Sequence, residues 1–412
     1  MNNSVSSDVS LSCLQPEPKR LPAGGSKRSL YILTIIISCL LLFSGHLLVM
    51  RNFPALPENR ANLIKAEIEK IISVKESPSG LNAEKPNLRI NFSATLNSGE
   101  HQGNKVIGYQ SIDFNNPANS TAQVKAGDRV LLYEPHKSGE SLTNLSNYVF
   151  VEYDRSGKLL LLLGIFCAAI LLFGKVKGFN TLLSLILTIL MILLVFIPGI
   201  IAGYNIYLMT LLVCLYATLS SYLLVIGYNA KAYAAVSGCL AGVIAAGFLA
   251  VICNYWLKIS GITGDEAITL GNLPLPHKLD LQALVFSMVL IGALGAVMDV
   301  AMDISSALAQ VKAQAPNLTL PELYKIGIEI GQDLISTLSN TLIMAYIGTA
   351  LLTILVLSAS GMPWNFFFNR EHFAVEVING IIGTFAILLT IPLTSFISAC
   401  FYGQKTNKKH RR

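Results

Sequence analysis

The sequence predicts an all-α polytopic membrane protein with about eight transmembrane helices and a small, mainly β extracytoplasmic domain. Hydrophobic residues make up 53% of the 412 residues and charged residues only 13%, and the mean hydropathy is +0.57. Soluble globular domains carry about 25% charged residues, so that class is excluded. The other two observations are the spacing of the apolar runs and a long polar stretch with strand-like alternation.

The apolar runs have the length that a bilayer requires, about 20 residues for each helical crossing. Eight of them can be distinguished, and the second is short: 30–50, 159–175, 179–201, 205–226, 233–256, 281–301, 334–358 and 376–401. The first run is longer than the apolar part of a signal peptide, and no A-x-A-like site follows it before Arg51. It is therefore expected to remain as a membrane anchor.

The distribution of lysine and arginine over the short loops predicts the orientation, because cytoplasmic loops are enriched in these residues. Only Lys258, Lys278 and Arg370 lie in the short loops of one side, whereas the other side carries Lys19, Arg20, Lys27, Arg28, Lys175, Lys177, Lys231, Lys312, Lys325, Lys405, Lys408, Lys409, Arg411 and Arg412. Both termini are therefore expected in the cytoplasm and residues 51–157 outside. The predicted parts are a cytoplasmic tail (1–29), a first transmembrane helix (30–50), an extracytoplasmic domain (51–157), a seven-helix membrane domain (158–402) and a basic cytoplasmic tail (403–412).

Residues 51–157 are predicted to form a small five-stranded barrel or sandwich. Apolar residues alternate with polar ones from Ile90 to Leu96, and β-branched or aromatic runs occur at 105–114, 129–133 and 148–153. Turn-forming residues fall at 97–99, 115–117 and 126–128. Residues 58–75 are ambiguous between a helix and a first strand. The segment contains no cysteine, so a disulfide framework is not expected there.

Asp299 and Asp303 are the first candidates for a functional position, because ionisable groups in a membrane helix are costly unless they are paired or hydrated. Four residues apart, they lie on one helix face, where two like charges could share a proton or a cation. The alternative is a solvated cytoplasmic end of the sixth predicted span. Just before them, Gly292, Gly295 and Ala296 would permit close helix packing.

Asp333 and Asn340 are candidates on the seventh predicted span, on one side of it together with Ser336. The pattern Thr319-Leu320-Pro321-Glu322 predicts a helix start with a capping box. The apolar spacing after it predicts a short amphipathic helix on the membrane surface that ends near Asp333. Asn340 would otherwise serve as a hydrogen-bonding contact between helices.

The eighth predicted span carries Glu376 and Asn379 near its outer end and Pro392 in its interior. Pro392 and Pro198, in the third span, each remove a backbone hydrogen bond and predict a kink or an opening of the helix. With the acidic pair and the seventh span, Glu376 and Asn379 complete a candidate polar path.

The sequence contains no motif for other classes of functional site. No C-x-x-C, H-E-x-x-H, P-loop or G-x-G-x-x-G pattern occurs, so no catalytic residue, metal site, cofactor or nucleic-acid partner is predicted. The net charge of +6 is explained more simply by the cytoplasmic loops and the basic tail, which would contact the membrane surface.

The strings GALGAVMDVAMDISSAL (292–308), GQD (331–333), NTLIMAY (340–346) and IPLTS (391–395), with EYDR (152–155) upstream, resemble the YibE/F-like family of bacterial multi-pass membrane proteins. The resemblance covers most of the chain from the polar domain to Ser395. It implies an architecture, namely an N-terminal anchor, an extracytoplasmic domain and a seven-span bundle. It implies no biochemical activity.

Three functional hypotheses therefore stay open. The first is a transporter or permease in which the acidic and amide side chains line a path for a solute or an ion. The second is an accessory or structural subunit whose outer domain binds a partner protein, or a homo-oligomer. The third is an intramembrane aspartyl protease built on Asp299 and Asp333, although the string Gly331-Gln332-Asp333 lacks the usual G-x-G-D pattern. In each case the lipid bilayer is the expected surrounding.

Overall fold

The computed structural model describes residues 24–54, 63–77, 87–99, 101–112, 122–134 and 148–403. The chain divides into two compact units. One is Ala55–Gly178, and the other combines Met1–Pro54 with Phe179–Arg412. The first unit contains a β-barrel, and the second contains most of the helices.

The barrel consists of five strands: β1 (Leu63–Ser77), β2 (Asn87–Leu96), β3 (Lys105–Ile112), β4 (Arg129–Tyr133) and β5 (Tyr148–Tyr153). It closes in the order β1-β2-β3-β5-β4. All neighbouring strands are antiparallel except β3 and β5, which run parallel. The predicted five-stranded unit is confirmed, and the ambiguous segment forms a strand from Leu63 onward.

Apolar and polar residues alternate along the strands, and this alternation explains how the barrel core forms. In β2, Ile90, Phe92 and Ala94 are buried while the residues between them face outward. Ile68 and Val130 fill the same core from β1 and β4. The predicted turns at 97–99 and 126–128 contain Gly99 and Gly127 with φ near +90°, a conformation that glycine adopts without steric cost. The predicted turn at 115–117 lies outside the described residues.

The helices are α1 (Gly24–Arg51), α2 (Ser156–Met191), α3 (Ile197–Ile201), α4 (Ile206–Val225), α5 (Ala230–Trp256), α6 (Asp265–Asn272), α7 (Leu281–Gln314), α8 (Leu320–Ala359), α9 (Trp364–Asn369) and α10 (Glu371–Gly403). Within the described part of the chain, seven helical segments are long and apolar enough to cross a membrane. The protein is therefore mainly helical, with the composition of a multi-pass membrane protein.

One of these segments, Ser156–Ile201, is 46 residues long. At 1.5 Å per residue it would extend roughly 70 Å, more than twice the thickness of the hydrocarbon core. Its helical backbone is broken at Lys175, which has φ 48° and ψ −127°. The break falls at the end of the second predicted span, where Lys175 and Lys177 separate two apolar runs.

Helix α10 packs against α5, α7 and α8, and small residues allow the close approach to two of them. On α5, Gly238 lies against the Thr394 side chain, and Gly242 lies against Thr390. On α8, Gly327 lies against Ser395. Helices in membranes commonly associate through such small residues because their backbones can then approach closely.

Helix α8 begins at the predicted capping box, in which the Thr319 N–H donates to Glu322 Oε2 at 2.7 Å. The prediction of a separate surface helix before Asp333 is wrong, because α8 runs without interruption from Leu320 to Ala359. Gly327 and Gly331 do not end the helix. Both are buried against α10, so helix packing offsets their low helix propensity.

Candidate functional site

Asp299 and Asp303 lie on an uncovered edge of α7. Both side chains are exposed, as is Gly292. They follow Gly292 by seven and eleven residues, about two and three helical turns, so all three lie along one side of the helix. The hydroxyl of Tyr346 on α8 lies over Gly292, since a Cβ added there would be 2.6 Å from it. The acidic edge therefore borders α8.

The alignment of α7 with α8 follows from two contacts, Gly292 with Tyr346 and Leu308 with Gly327. The two helices are antiparallel, so this register places Ser339 at the level of Asp299. Ser339 precedes Tyr346 by about two turns and lies on the same side of α8. It is buried, and its hydroxyl has no hydrogen-bond partner among the described residues.

Asp333 and Asn340 lie on a different side of α8. Both are exposed, together with Ser336, whose hydroxyl donates to the Asp333 carbonyl at 3.3 Å. Asp333 follows the buried Gly331 by two residues and so lies nearly opposite to it on the helix. The structure keeps these residues together, as the sequence predicted, but on another side of α8 from Ser339 and Tyr346.

Glu376 and Asn379 lie on α10, and Glu376 lines a mainly apolar cavity of about 360 Å³ between α8 and α10 together with Tyr346. Glu376 Oε2 accepts a long hydrogen bond of 3.5 Å from the Thr349 hydroxyl. Asn379 is 4% exposed, and its Oδ1 has no partner among the described residues. Tyr346 thus lies between the α7 edge and the cavity that contains Glu376.

The small residues of α7 differ in their surroundings. Gly292 meets the Tyr346 hydroxyl, whereas no atom lies within 4 Å of a Cβ added to Gly295. Ala296 is half-buried and packs on the core that α7 shares with α8 and α10. The uncovered edge of α7 therefore includes free space beside the acidic pair.

A second polar feature surrounds Pro198. The turn Ile192–Phe196 is π-helical and leads directly into α3, which contains Pro198. The Nδ1–H of His46 on α1 donates to the Leu194 carbonyl at 2.9 Å. The sequence indicated the interruption through Pro198, but it gave no signal for His46, because an isolated histidine in an apolar run has no partner until the helices pack.

A cavity of about 630 Å³ separates much of α1 from α4. Its lining is mainly apolar and includes Val195 of the π-helical turn. Hydroxyl groups bridge the two sides, since Thr34 and Tyr228 share a hydrogen bond of 2.8 Å and Tyr216 donates to the Ser38 carbonyl at 3.3 Å. Besides these bonds, Leu42 and Val49 of α1 lie in a buried core cluster with α4, so hydrogen bonds and apolar packing together hold α1 on the bundle.

The EYDR string forms the junction between β5 and α2. Arg155 pairs with Glu152 at 2.7 Å, and Asp154 accepts from both the N–H and the hydroxyl of Ser156. Lys65 lies 3.3 Å from the same carboxylate. The Ser156 and Lys65 contacts hold the pKa of Asp154 below its usual range. The presence of these charged residues in the EYDR string is therefore explained by the contacts that they make at the junction between β5 and α2.

The part of the chain that the structure describes contains no group of three or more His, Cys, Asp or Glu side chains arranged to hold a metal ion. The uncovered carboxylates of α7, Asp299 and Asp303, form an acidic edge that can bind a proton or attract a cation, at the level of the buried hydroxyl of Ser339.

Comparison with known proteins identifies the family of the helical part. The chain has no significant match among curated proteins or among solved structures. Residues 162–404, more than half of the chain, match the family described as YibE/F-like protein. The match includes the α7 edge, the hydroxyls of α10 and the glycines that pack against them. The chain therefore belongs to the YibE/F-like family.

Proposed function

We propose that the chain crosses the bacterial plasma membrane eight times, with both termini in the cytoplasm and the barrel outside, and that its helices form a transporter or permease. Two features support the topology. The break at Lys175 divides an overlong helix into two segments, and lysine and arginine are concentrated in the loops assigned to the cytoplasm. The transported species is an unidentified solute or ion.

The uncovered acidic edge of α7 carries the proposal. Asp299 lies roughly 27 Å along α7 from Leu281, within a helix long enough to span the bilayer. A carboxylate that faces lipid there would cost several kcal/mol. Asp299 and Asp303 are nevertheless not covered by the protein. This edge therefore faces water or another protein. Asp303, about 33 Å from Leu281, already reaches the cytoplasmic end of the hydrocarbon core, and Asp299, one turn deeper, would face a water-filled path of the kind that transport requires.

An interrupted helix gives further support, because a π-helical turn precedes Pro198. Pro392, between Thr390 and Thr394, does not interrupt α10, which is continuous, but the proline still removes one backbone hydrogen bond there. Such interruptions free backbone carbonyls at membrane depth, and transporters use them to bind ions and to move helices. The contacts between the hydroxyl side chains of α10 and the glycines of the neighbouring helices are also not strongly directional. Such contacts favour small shifts of one packed helix against another.

The accessory-subunit hypothesis is favoured by the same edge, because a partner chain could cover it instead of water. Labelling of a single cysteine distinguishes the two. Gly295 lies on the uncovered side with open space around it, so Gly295→Cys in a variant lacking the seven native cysteines provides a probe. Phe248→Cys, at a 72% exposed position on α5, is the lipid-facing control.

A charged, membrane-impermeant thiol reagent reacts with the thiolate, which forms in water and not in lipid. If the edge lines a path, Gly295→Cys is expected to react at least about tenfold faster than Phe248→Cys, both in native membranes and in proteoliposomes. Equal slow rates in both would show that the edge faces lipid and would contradict the transporter. Fast labelling in proteoliposomes but not in native membranes would support a covering partner instead.

A further inference from the structure

The outer face of strands β1 to β3 presents three rows of basic and polar side chains. Strand pairing aligns them across the sheet as Lys75–Arg89–Ser111, Ser73–Asn91–Tyr109 and Lys70–Ser93–Ile107. The β2 residues between them are buried in the barrel core, so these rows point outward. They contain three cations, a tyrosine, an amide and three hydroxyls, but no carboxylate. We call this surface the basic face.

The first row places Lys75 directly opposite Arg89. Two like charges in such a cross-strand pair destabilise the sheet, so folding alone does not explain them. The Arg89 guanidinium lies 4.0 Å from the centre of the Tyr109 ring, and the Asn91 amide donates to the Ser73 hydroxyl at 2.9 Å. These contacts hold the polar groups in place, which lowers the entropy cost of binding a ligand.

The neighbouring carboxylates of the barrel already have other partners. Glu69 binds Lys105 at 2.8 Å, and Glu67 lies 3.6 Å from Arg129. Glu76 follows Lys75 but pairs with the buried Leu88, so it lies on the other side of the strand. Within the described residues, no carboxylate neutralises the basic face.

We propose that the basic face binds an anionic glycan, a chain of sugar or polyol units with carboxylate or phosphate groups. Lys70 lies about 15 Å along the strand from the Lys75–Arg89 pair, a separation that suits an extended polymer with repeated charges better than one small anion. Between these positions, Asn91 and the serines match sugar hydroxyls, and Tyr109 offers an apolar ring.

A glycan fits this face better than single-stranded nucleic acid, which is usually bound by successive aromatic rings on which bases stack. Tyr109 is the single aromatic residue in the three rows, and Arg89 already covers one side of it. The location outside the cell rests on the topology proposed above, but binding to the basic face does not depend on transport activity.

The test uses the full chain in nanodiscs of zwitterionic lipid. A fluorescent oligogalacturonate is the anionic probe, and a malto-oligosaccharide of equal length is the neutral one. Saturable binding is expected for the anionic probe only, and it should weaken with salt because exposed charges are screened. The double variant Lys75→Gln/Arg89→Gln is expected to bind about tenfold more weakly or worse.

The matched control is Lys65→Gln/Arg129→Gln, which removes the same charge from the same barrel at residues that already have ion-pair partners. It should bind within about twofold of the wild type. If the first double variant does not fold, Lys70→Gln replaces it and should weaken binding by about threefold. Equal losses in test and control variants, or no binding of the anionic probe, would overturn the proposal. Tighter binding of an oligodeoxythymidylate than of the glycan would overturn it as well and assign the face to nucleic acid.

Discussion

The imidazole of His46 hydrogen-bonds to the carbonyl of Leu194, the residue four positions before Pro198. Proline has no N–H, so in an α-helix this carbonyl would lose its usual partner. The side chain from α1 replaces that partner and at the same time connects α1 to the π-helical turn. A buried carbonyl left without a donor would cost about 1 to 3 kcal/mol.

The first prediction concerns this hydrogen bond. His46→Ala is expected to lower the stability of the full chain in detergent by about 1 to 2 kcal/mol, because the Leu194 carbonyl loses its side-chain donor. Ser44→Ala is the control, since the Ser44 hydroxyl bonds only to Leu41 in its own helix. Thermal unfolding followed by size exclusion measures both. Equal stability of the two variants would show that His46 does not stabilise the interruption.

The second prediction concerns the contact between α5 and α10. A Cβ on Gly242 would overlap the Thr390 hydroxyl, so Gly242→Ala is expected to destabilise the protein by about 1 to 3 kcal/mol. Thr390→Ala in the same chain should restore part of the loss by removing the overlapping atom. Gly348→Ala, where no atom lies within 4 Å, should have little effect. The same unfolding assay applies, and an unchanged Gly242→Ala variant would refute the close packing.

The third prediction concerns the pH dependence of the barrel. The Lys105 and Thr95 hydrogen bonds lower the pKa of Glu69 from 4.5, and the Ser156 and Lys65 contacts lower the pKa of Asp154 from 3.8. A carboxyl group whose pKa is lower in the folded state stabilises that state above its ordinary pKa. This contribution is lost as the pH falls through the lowered value, so the barrel should weaken below about pH 4.5 as Glu69 and Asp154 become protonated.

Hydrogen exchange of β1 measures this effect when wild type and variants are compared at each pH, so that intrinsic exchange cancels. Asp154→Asn should reduce protection near neutral pH, and its difference from the wild type should shrink in acid. Glu76→Gln serves as the control at an exposed position of the same strand. A difference for Asp154→Asn that stays constant from pH 7 to about pH 2 would contradict the assignment.

The fourth prediction concerns the acidic edge. Asp299→Asn is expected to preserve expression and folding, because the side chain is exposed and the amide keeps its shape, but to abolish most of the flux in proteoliposomes. Asp303→Asn should have a weaker effect, and the double variant should be less than additive, since two groups that share one proton or cation act as a unit. Ion flux is measured as current on a supported membrane, first with a proton gradient and then with sodium. Full flux in the double variant would exclude the pair from the path.

The sequence predicted the barrel because the signal for each strand is local. Alternation from Ile90 to Leu96 is visible without any knowledge of neighbouring strands. Residues 58–75 were harder to interpret, because their isoleucine spacing suits a helix and their β-branched content suits a strand. Pairing of β1 with both β2 and β4 decides the matter, and that pairing is a property of the whole barrel.

The candidate site was less accessible to sequence reasoning. Asp299 and Asp303 stand out because charges are rare in apolar runs, whereas Ser339 is one of many serines in such runs. Its burial and its place at the level of Asp299 arise only from helix packing, in which Gly292 of α7 contacts Tyr346 and Gly327 of α8 contacts Leu308. The uninterrupted α8 has the same origin, since tertiary packing stabilises glycines that local propensity treats as helix breakers.

Closure of the barrel limits how any partner could bind it. A partner peptide can add a strand to a sheet only where an edge strand has unpaired backbone groups. Each of the five strands has a neighbour on both sides, so the paired segments offer no such edge. Recognition on these segments must therefore operate through side chains, and substitutions there can change the ligand without opening the sheet.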